Sequence, residues 1–220
     1  MSGGSAGFRE AFRSGEIGPH YSGWGHFAFT TLGSLAVIVF AASRVERPTA
    51  LELALLPVFF LIANLTEYFA HKGPMHHRRP GLGVVFKRHT LQHHAFFTEQ
   101  MMECDTSRDF KIILFPPVML AFVVGITVPL GAVFYVLVSP NAGFLFAAVA
   151  IGYFLTYEWL HFAYHQPESS WVWRIPGLPA LRRHHRAHHD AALMTRWNFN
   201  ITFPIGDRIF GTSWKEKPTD

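Results

Sequence analysis

Apolar positions in this chain fall into four long runs, not into the short alternating or one-faced patterns of a soluble domain. Residues 27–42 carry no charge, and 51–70 include only Glu52 and Glu67. Residues 112–139 are long enough to tilt, with Pro116, Pro117 and Pro129 as points of irregularity, and 142–161 carry Glu158 close to their end. A spanning helix needs ~20 mostly apolar residues to cross the hydrocarbon layer, which the runs meet or approach. The sequence thus predicts an all-α integral membrane protein with about four transmembrane helices. Two short connections, 44–49 and Pro140-Asn141, pair the runs into hairpins and leave the longer polar segments at the other end. Four such runs in one soluble core would leave little sequence to wrap them.

Charge adds an orientation. Of the nineteen Lys and Arg, only Arg44 and Arg47 lie at the short-loop end. The others follow the second run (Lys72, Arg78, Arg79, Lys87, Arg88, Arg108, Lys111), precede the first (Arg9, Arg13) or lie in the C-terminal region, Lys215 and Lys217 included. The positive-inside bias then predicts that both termini and the large polar segments are cytoplasmic, in a bacterial inner membrane or the endoplasmic reticulum. The domain division expected is an N-terminal cytoplasmic segment, 1–25, and a single membrane domain, 26–220. The first run starts late and follows acidic residues, so it reads as a retained anchor instead of a cleaved leader. Phe8 and Phe12, four apart, fit either a short helix on the membrane surface or a disordered tail. With one Cys there is no internal disulfide framework and no Cys-rich zinc site. A net charge of +4 with this distribution gives no reason to expect a nucleic-acid partner.

The chemistry lies in histidine. The chain has fourteen, and all but His20 and His26 fall in four groups. His71, His76 and His77 follow the second run; His89, His93 and His94 precede the third; His161 and His165 close the fourth; His184, His185, His188 and His189 lie near the C-terminus. The predicted topology puts every group at the same end, forming a cytosolic histidine-rich helical cap. His161/His165, His89/His93, His184/His188 and His185/His189 are four apart and share a helix face. His71 and His76 are five apart, which an α-helix would splay; Gly73-Pro74 is expected to end the helix so that His76 folds back beneath His71. Neutral imidazole is the commonest metal ligand. So many imidazoles packed together would repel when protonated, and a shared metal centre resolves that. Their number exceeds one four-coordinate zinc site and suits two metals with about five nitrogens each.

At these residues the sequence resembles the fatty acid hydroxylase/sterol desaturase superfamily of membrane di-iron, histidine-box enzymes, and within it the fatty acid 2-hydroxylases. The resemblance covers roughly 65–212. It rests on Glu67-Tyr68-Phe69-Ala70-His71 with His76, His93-His94, Phe115-Pro116-Pro117, Tyr157-Glu158 with His161 and His165, His184-His185-Arg186-Ala187-His188-His189, and Asp207-Arg208-Ile209-Phe210-Gly211-Thr212. One departure stands out: the family's second box usually reads His-x2-His-His, and here Thr90 occupies the first position with His89 one residue earlier. A bulge or a longer helical turn is expected to deliver His89.

The resemblance implies an O2-dependent oxidoreductase that hydroxylates a C–H bond of a lipid acyl chain. The implied ligands of two iron ions, with zinc able to replace them in purified protein, are His71, His76, His93, His94, His161, His165, His185, His188 and His189. His89 is expected to join them through the bulge or longer turn. Glu67, Glu158, His77 and His184 are expected to support the ligands, Glu67 and Glu158 by holding the second ring N–H of a ligating imidazole. No stretch resembles a cytochrome b5 domain, so electrons are expected from a separate donor such as cytochrome b5, or ferredoxin with its reductase. Other readings are a sterol or carotenoid oxidase, a lipid desaturase and, from another class, a histidine-rich metal-binding or transport protein. A transporter would place its ligands at mid-bilayer, whereas these lie beyond the helix ends.

Overall fold

The computed structural model describes residues 2–214; Lys215 and Lys217, counted in the charge bias, lie outside the described residues. The chain is all-helical, and its β-structure among the described residues is one isolated bridge between Thr98 and Met101. The main helices are α1 (Ser2–Glu16), α2 (Gly23–Ser43), α3 (Leu56–Ala70), α4 (Val118–Leu137), α5 (Pro140–Tyr164), α6 (Leu178–His188) and α7 (Ile205–Ile209).

Four helical stretches are long and apolar enough to cross a membrane: Gly23–Ser43, Ala50–Met75, Ser107–Leu137 and Pro140–Tyr164. Local chemistry sets their ends. Ser22 caps α2 by accepting the Gly25 N–H, and Thr49 and Glu52 form a reciprocal capping box before α3. Ser139 caps α5 by accepting the Ala142 N–H, with Pro140 in the first turn. The fourth helix therefore starts at Pro140 and reaches Tyr164, overrunning the predicted 142–161 at both ends. The third stretch is interrupted: the turn Phe110–Ile113 gives way to extended backbone at Leu114 before Pro117 opens α4. At the short-loop end the two hairpins are tied together. Asn141 Oδ1 accepts the Glu46 N–H, and Ser139 donates to Glu52.

Helix α5 is the hub, packing against α2, α3 and α4. Half of its most apolar window is buried, against 17–22% for the other three stretches. A helix apolar on all sides belongs inside a bundle. Close approach to α4 depends on Gly143, where a Cβ would sit 2.7 Å from the Gly131 carbonyl oxygen. The outward faces remain apolar, with Leu32, Val39, Phe122, Val128 and Val136 all well exposed. This is the surface a bilayer covers.

Everything chemical gathers at the other end, where α3, α5 and the approach to α4 meet α6 and the 197–212 segment. Helix α1 belongs to this cap. Phe12 is buried with Phe96, Phe110 and Ile112 in an apolar cluster against which Phe8 also packs. That replaces both the surface-lying helix and the disordered tail.

Candidate metal centre

Ten histidines converge as two sets of five, all buried: His71, His76, His89, His94 and His188, then His93, His161, His165, His185 and His189. Within each set one nitrogen per ring lies within 4.8 Å of all the others. The sets touch, since the His94 and His189 rings stack with centroids 4.3 Å apart.

The sets are assembled mainly by different helical geometries. His161/His165 and His185/His189 are pairs four apart at the C-terminal ends of α5 and α6, with His165 and His189 the capping residues, while His188 of α6 joins the first set and His93 of a π-segment the second. His71 and His76 are brought together differently from the expectation. The helix does not end at Gly73-Pro74 but widens into a π-turn over His71–Met75. A π-turn closes i to i+5, so residues five apart fall on one face. A second π-segment, Lys87–His93, does the same for His89 and His94, with the His94 N–H on the His89 carbonyl. The wide turn carries His89 to within 2.8 Å of His71, nitrogen to nitrogen. Thr90 holds the two π-segments together: its hydroxyl donates to the Met75 carbonyl at 2.6 Å and lies 3.3 Å from His76 Nδ1.

The inward nitrogens are Nε2. Neighbouring Nε2 atoms lie 2.8–3.2 Å apart in the first set and 3.0–3.3 Å in the second. Five of the rings commit Nδ1–H to a main-chain carbonyl: His71 to Phe199, His188 to Trp197, His93 to Ile112, His165 to Met102 and His189 to Phe97. That fixes the tautomer and leaves Nε2 a bare lone pair. Facing lone pairs at such distances repel unless a cation lies among them. Nitrogens about 2.1 Å from one metal and at right angles to each other are about 3 Å apart, so the spacing is that of a coordination shell. Burial, with the neighbouring imidazoles, pushes His76, His89, His93, His94, His165, His185, His188 and His189 well below the usual histidine range. They are neutral and ready to ligate. The donor set fits two metals: all imidazole, five per site, one more than a closed tetrahedral zinc site takes.

The supporting residues stand elsewhere than expected. Glu67 reaches no imidazole. It accepts the Ile201 and Thr202 N–H groups and the Thr202 and Tyr153 hydroxyls. Asp207 does the same from the other side, taking the Phe199 and Asn200 N–H groups and His184 Nε2 at 3.4 Å. Together they clamp the segment 199–202, whose Phe199 carbonyl orients His71, so Glu67 and His184 act one bond removed. Gly206 lets this segment close on α3, since a Cβ there would lie 2.9 Å from Tyr68. Glu158 also misses the rings: its Oε1 accepts the Phe115 N–H at 3.3 Å, where the Pro116-Pro117 break frees that donor. His77 is exposed and bonds only to the Lys72 carbonyl. Asn198 and Asn200 serve the loop, donating to the His184 and Asn64 carbonyls. Asp207 and Tyr153 were missed as supports; no spacing rule points to them, because they act through backbone.

A cleft of about 180 Å³ opens against both sets. His89 of the first and His93 and His161 of the second line it, with apolar walls from Met75, Val84, Ile113, Phe115, Val118 and Met119. Val84 and Val118, both in its lining, are 77% and 72% exposed. Arg88 is the one charged residue in the lining, its Nη2 donating to the Leu114 and Lys111 carbonyls. No tryptophan lines it.

The family model for fatty acid hydroxylases matches residues 56–212. The chain belongs to the fatty acid hydroxylase family. Its fold is similar to the solved structure of full-length Scs7p, of which only the hydroxylase domain is visible, with a TM-score of 0.62 at 19% identity, over 86% of this chain and 67% of that one. No curated protein sequence matches the chain. As a fatty acid hydroxylase family member it is a membrane enzyme, and its two five-histidine clusters fit a di-metal site.

Proposed function

We propose that this enzyme hydroxylates a C–H bond of a lipid acyl chain using O2 and two electrons from a separate donor protein. One oxygen atom enters the C–H bond and the other leaves as water, which takes up two protons. The observation that carries this reading is the apolar cleft with histidines of both sets in its wall and the well-exposed Val84 and Val118 in its lining.

Two bound metals, which we infer to be iron, would supply the O2 activation and the oxidising power; the ten histidines would hold them. The chain does the rest. The main-chain carbonyls keep the imidazoles in one tautomer and orientation. Ile113, Phe115 and Met119 exclude water and confine the acyl chain so that one carbon faces the histidines. The Arg88 guanidinium offers the polar end of the lipid a fixed donor beside His89. The ligand-bearing end would be cytoplasmic, where a soluble or membrane-tethered donor can reach α6. Ligands at the helix ends, not at mid-bilayer, favour an enzyme over a transporter.

The test is comparative lipid mass spectrometry on cells expressing the wild type or a His161→Ala/His165→Ala variant. A lipid class that gains one oxygen only with the wild type supports hydroxylation and names the substrate. Loss of two hydrogens would replace the reading with desaturation. No lipid change from folded, metal-loaded and reductant-supplied protein would refute it.

A further inference from the structure

Helix α1 lies outside the region matched by the family model, yet it holds one of the least exposed arginines in the chain. Arg9 is 4% exposed. Its Nε donates to the Phe96 carbonyl at 2.8 Å, Nη2 to the Met101 carbonyl at 2.6 Å and Nη1 to Asp105 at 3.3 Å. The guanidinium also lies over the Phe96 and Phe97 rings, 4.9 and 5.2 Å from their centroids. One turn on, Arg13 bonds both carboxylate oxygens of the buried Asp109 at 2.8 Å. Burying a guanidinium is costly unless its donors are used. Those of Arg9 are all spent on one stretch of chain, 96–105.

The opposite side of that stretch grips the second histidine set. The Phe97 carbonyl accepts His189 Nδ1–H at 2.6 Å, and the Met102 carbonyl accepts His165 Nδ1–H at 2.7 Å. The Cys104 N–H returns a bond to the His165 carbonyl at 2.8 Å, and the Phe97 ring lies 4.0 Å from the His165 ring. His94 of the first set borders this stretch, but among the described residues no carbonyl of 96–105 accepts from a first-set ring; the orienting carbonyls there come from Trp197 and Phe199. We propose that Arg9 is a positioning residue for the second metal site alone: it pins the Phe96 and Met101 carbonyls and so fixes the Phe97 and Met102 carbonyls that aim His189 and His165. The N-terminal helix is thereby a working part of the metal centre, acting through main chain. The proposal rests on the reading of the ten histidines as ligands of two metals.

The experiment uses purified full-length wild type, Arg9→Gln, Arg9→Lys and, as a surface control on the same helix, Glu10→Gln. Each is loaded with Zn2+, and release to a chelator is followed as equivalents against time. The wild type and Glu10→Gln should hold two equivalents. Arg9→Gln should release one of them about tenfold faster, the lower end of the effect of removing an outer-shell support, and keep the other at the wild-type rate. Arg9→Lys, which keeps the charge but not the forked reach, should fall between. Diethylpyrocarbonate labelling read by mass spectrometry should find His165 and His189 modified ahead of His71 and His76 in Arg9→Gln. If both equivalents or neither are affected, the proposal fails. If Arg9→Gln does not fold, Arg9→Lys decides by the same two readouts. Fewer than two equivalents on the wild type would refute the two-metal reading itself.

Discussion

The two histidine sets do the same job with opposite construction. The second takes four of its five rings in pairs from the ends of the bundle's central helix and α6, His161/His165 and His185/His189, and a loop clamped by the N-terminal helix supplies the carbonyls for His165 and His189. The first takes four of its five rings from two π-turns, His71/His76 and His89/His94, joined by Thr90, and the carbonyl that orients His71 comes from a segment held between Glu67 and Asp207. The second set borrows rigidity from a helix that the bundle already buries. The first lies on widened turns whose register only tertiary contacts maintain. Equal ligand counts therefore need not mean equal robustness: the second set should be broken only by losing ligands or the α1 clamp, the first also by losing distant supports.

The largest effect should come from removing ligands. In His161→Ala/His165→Ala the second metal should be lost and product formation should fall below detection, with the first metal retained; metal analysis of the purified variant checks this. Retention of both metals would contradict the division into sets.

The pH response should be nearly as large and should not discriminate between the sets. Burial lowers the folded-state values of His89, His94, His165, His185 and their neighbours. The unfolded chain therefore takes up protons near the ordinary histidine value of about 6.5 while the folded apoprotein does not. Stability is fully present above that pH and falls as pH drops below it, and metal retention falls with it because protons compete for the same nitrogens. Thermal unfolding and metal content measured from pH 8 to pH 5 should decline together; a stability that rises on acidification would refute the sign.

A selective effect on the first set is expected from its distant clamp. Glu67→Gln or Asp207→Asn should loosen 199–202, release His71 and weaken the first metal by about 10- to 100-fold, leaving the second near wild type. Competition with a chelator reads this directly, and an equal loss at both sites would show ordinary destabilisation instead. Smaller still is Thr90→Ala, which removes the hydroxyl bridging Met75 and His76. The account expects a loss of a few-fold at the first site and none at the second.

The sequence made the second set readable and the first only partly so. Four-residue spacing on α5 and α6 translates directly into a shared face. Five-residue spacing carries no such signal, and Gly73-Pro74 looked like a helix end when it is the interior of a π-turn. The displaced His89 left a bulge or a longer helical turn open, and the Lys87–His93 π-segment is the longer turn. The supports were the least legible. Glu67 and Glu158 stood at helical spacing from ligands and invited a carboxylate–imidazole pairing. The chain instead uses carbonyl oxygens, which every residue owns and no motif marks. The spans were clear from apolar length alone, but the break before α4 was placed by Glu158 and the Pro116-Pro117 pair acting together across the fold.

Anomalous diffraction at the iron edge, on crystals of the full-length enzyme loaded with iron, would locate the metals. Two peaks are expected, one among His71, His76, His89, His94 and His188 and the other among His93, His161, His165, His185 and His189. A single peak, or ligands crossing between the sets, would contradict the division into two sets.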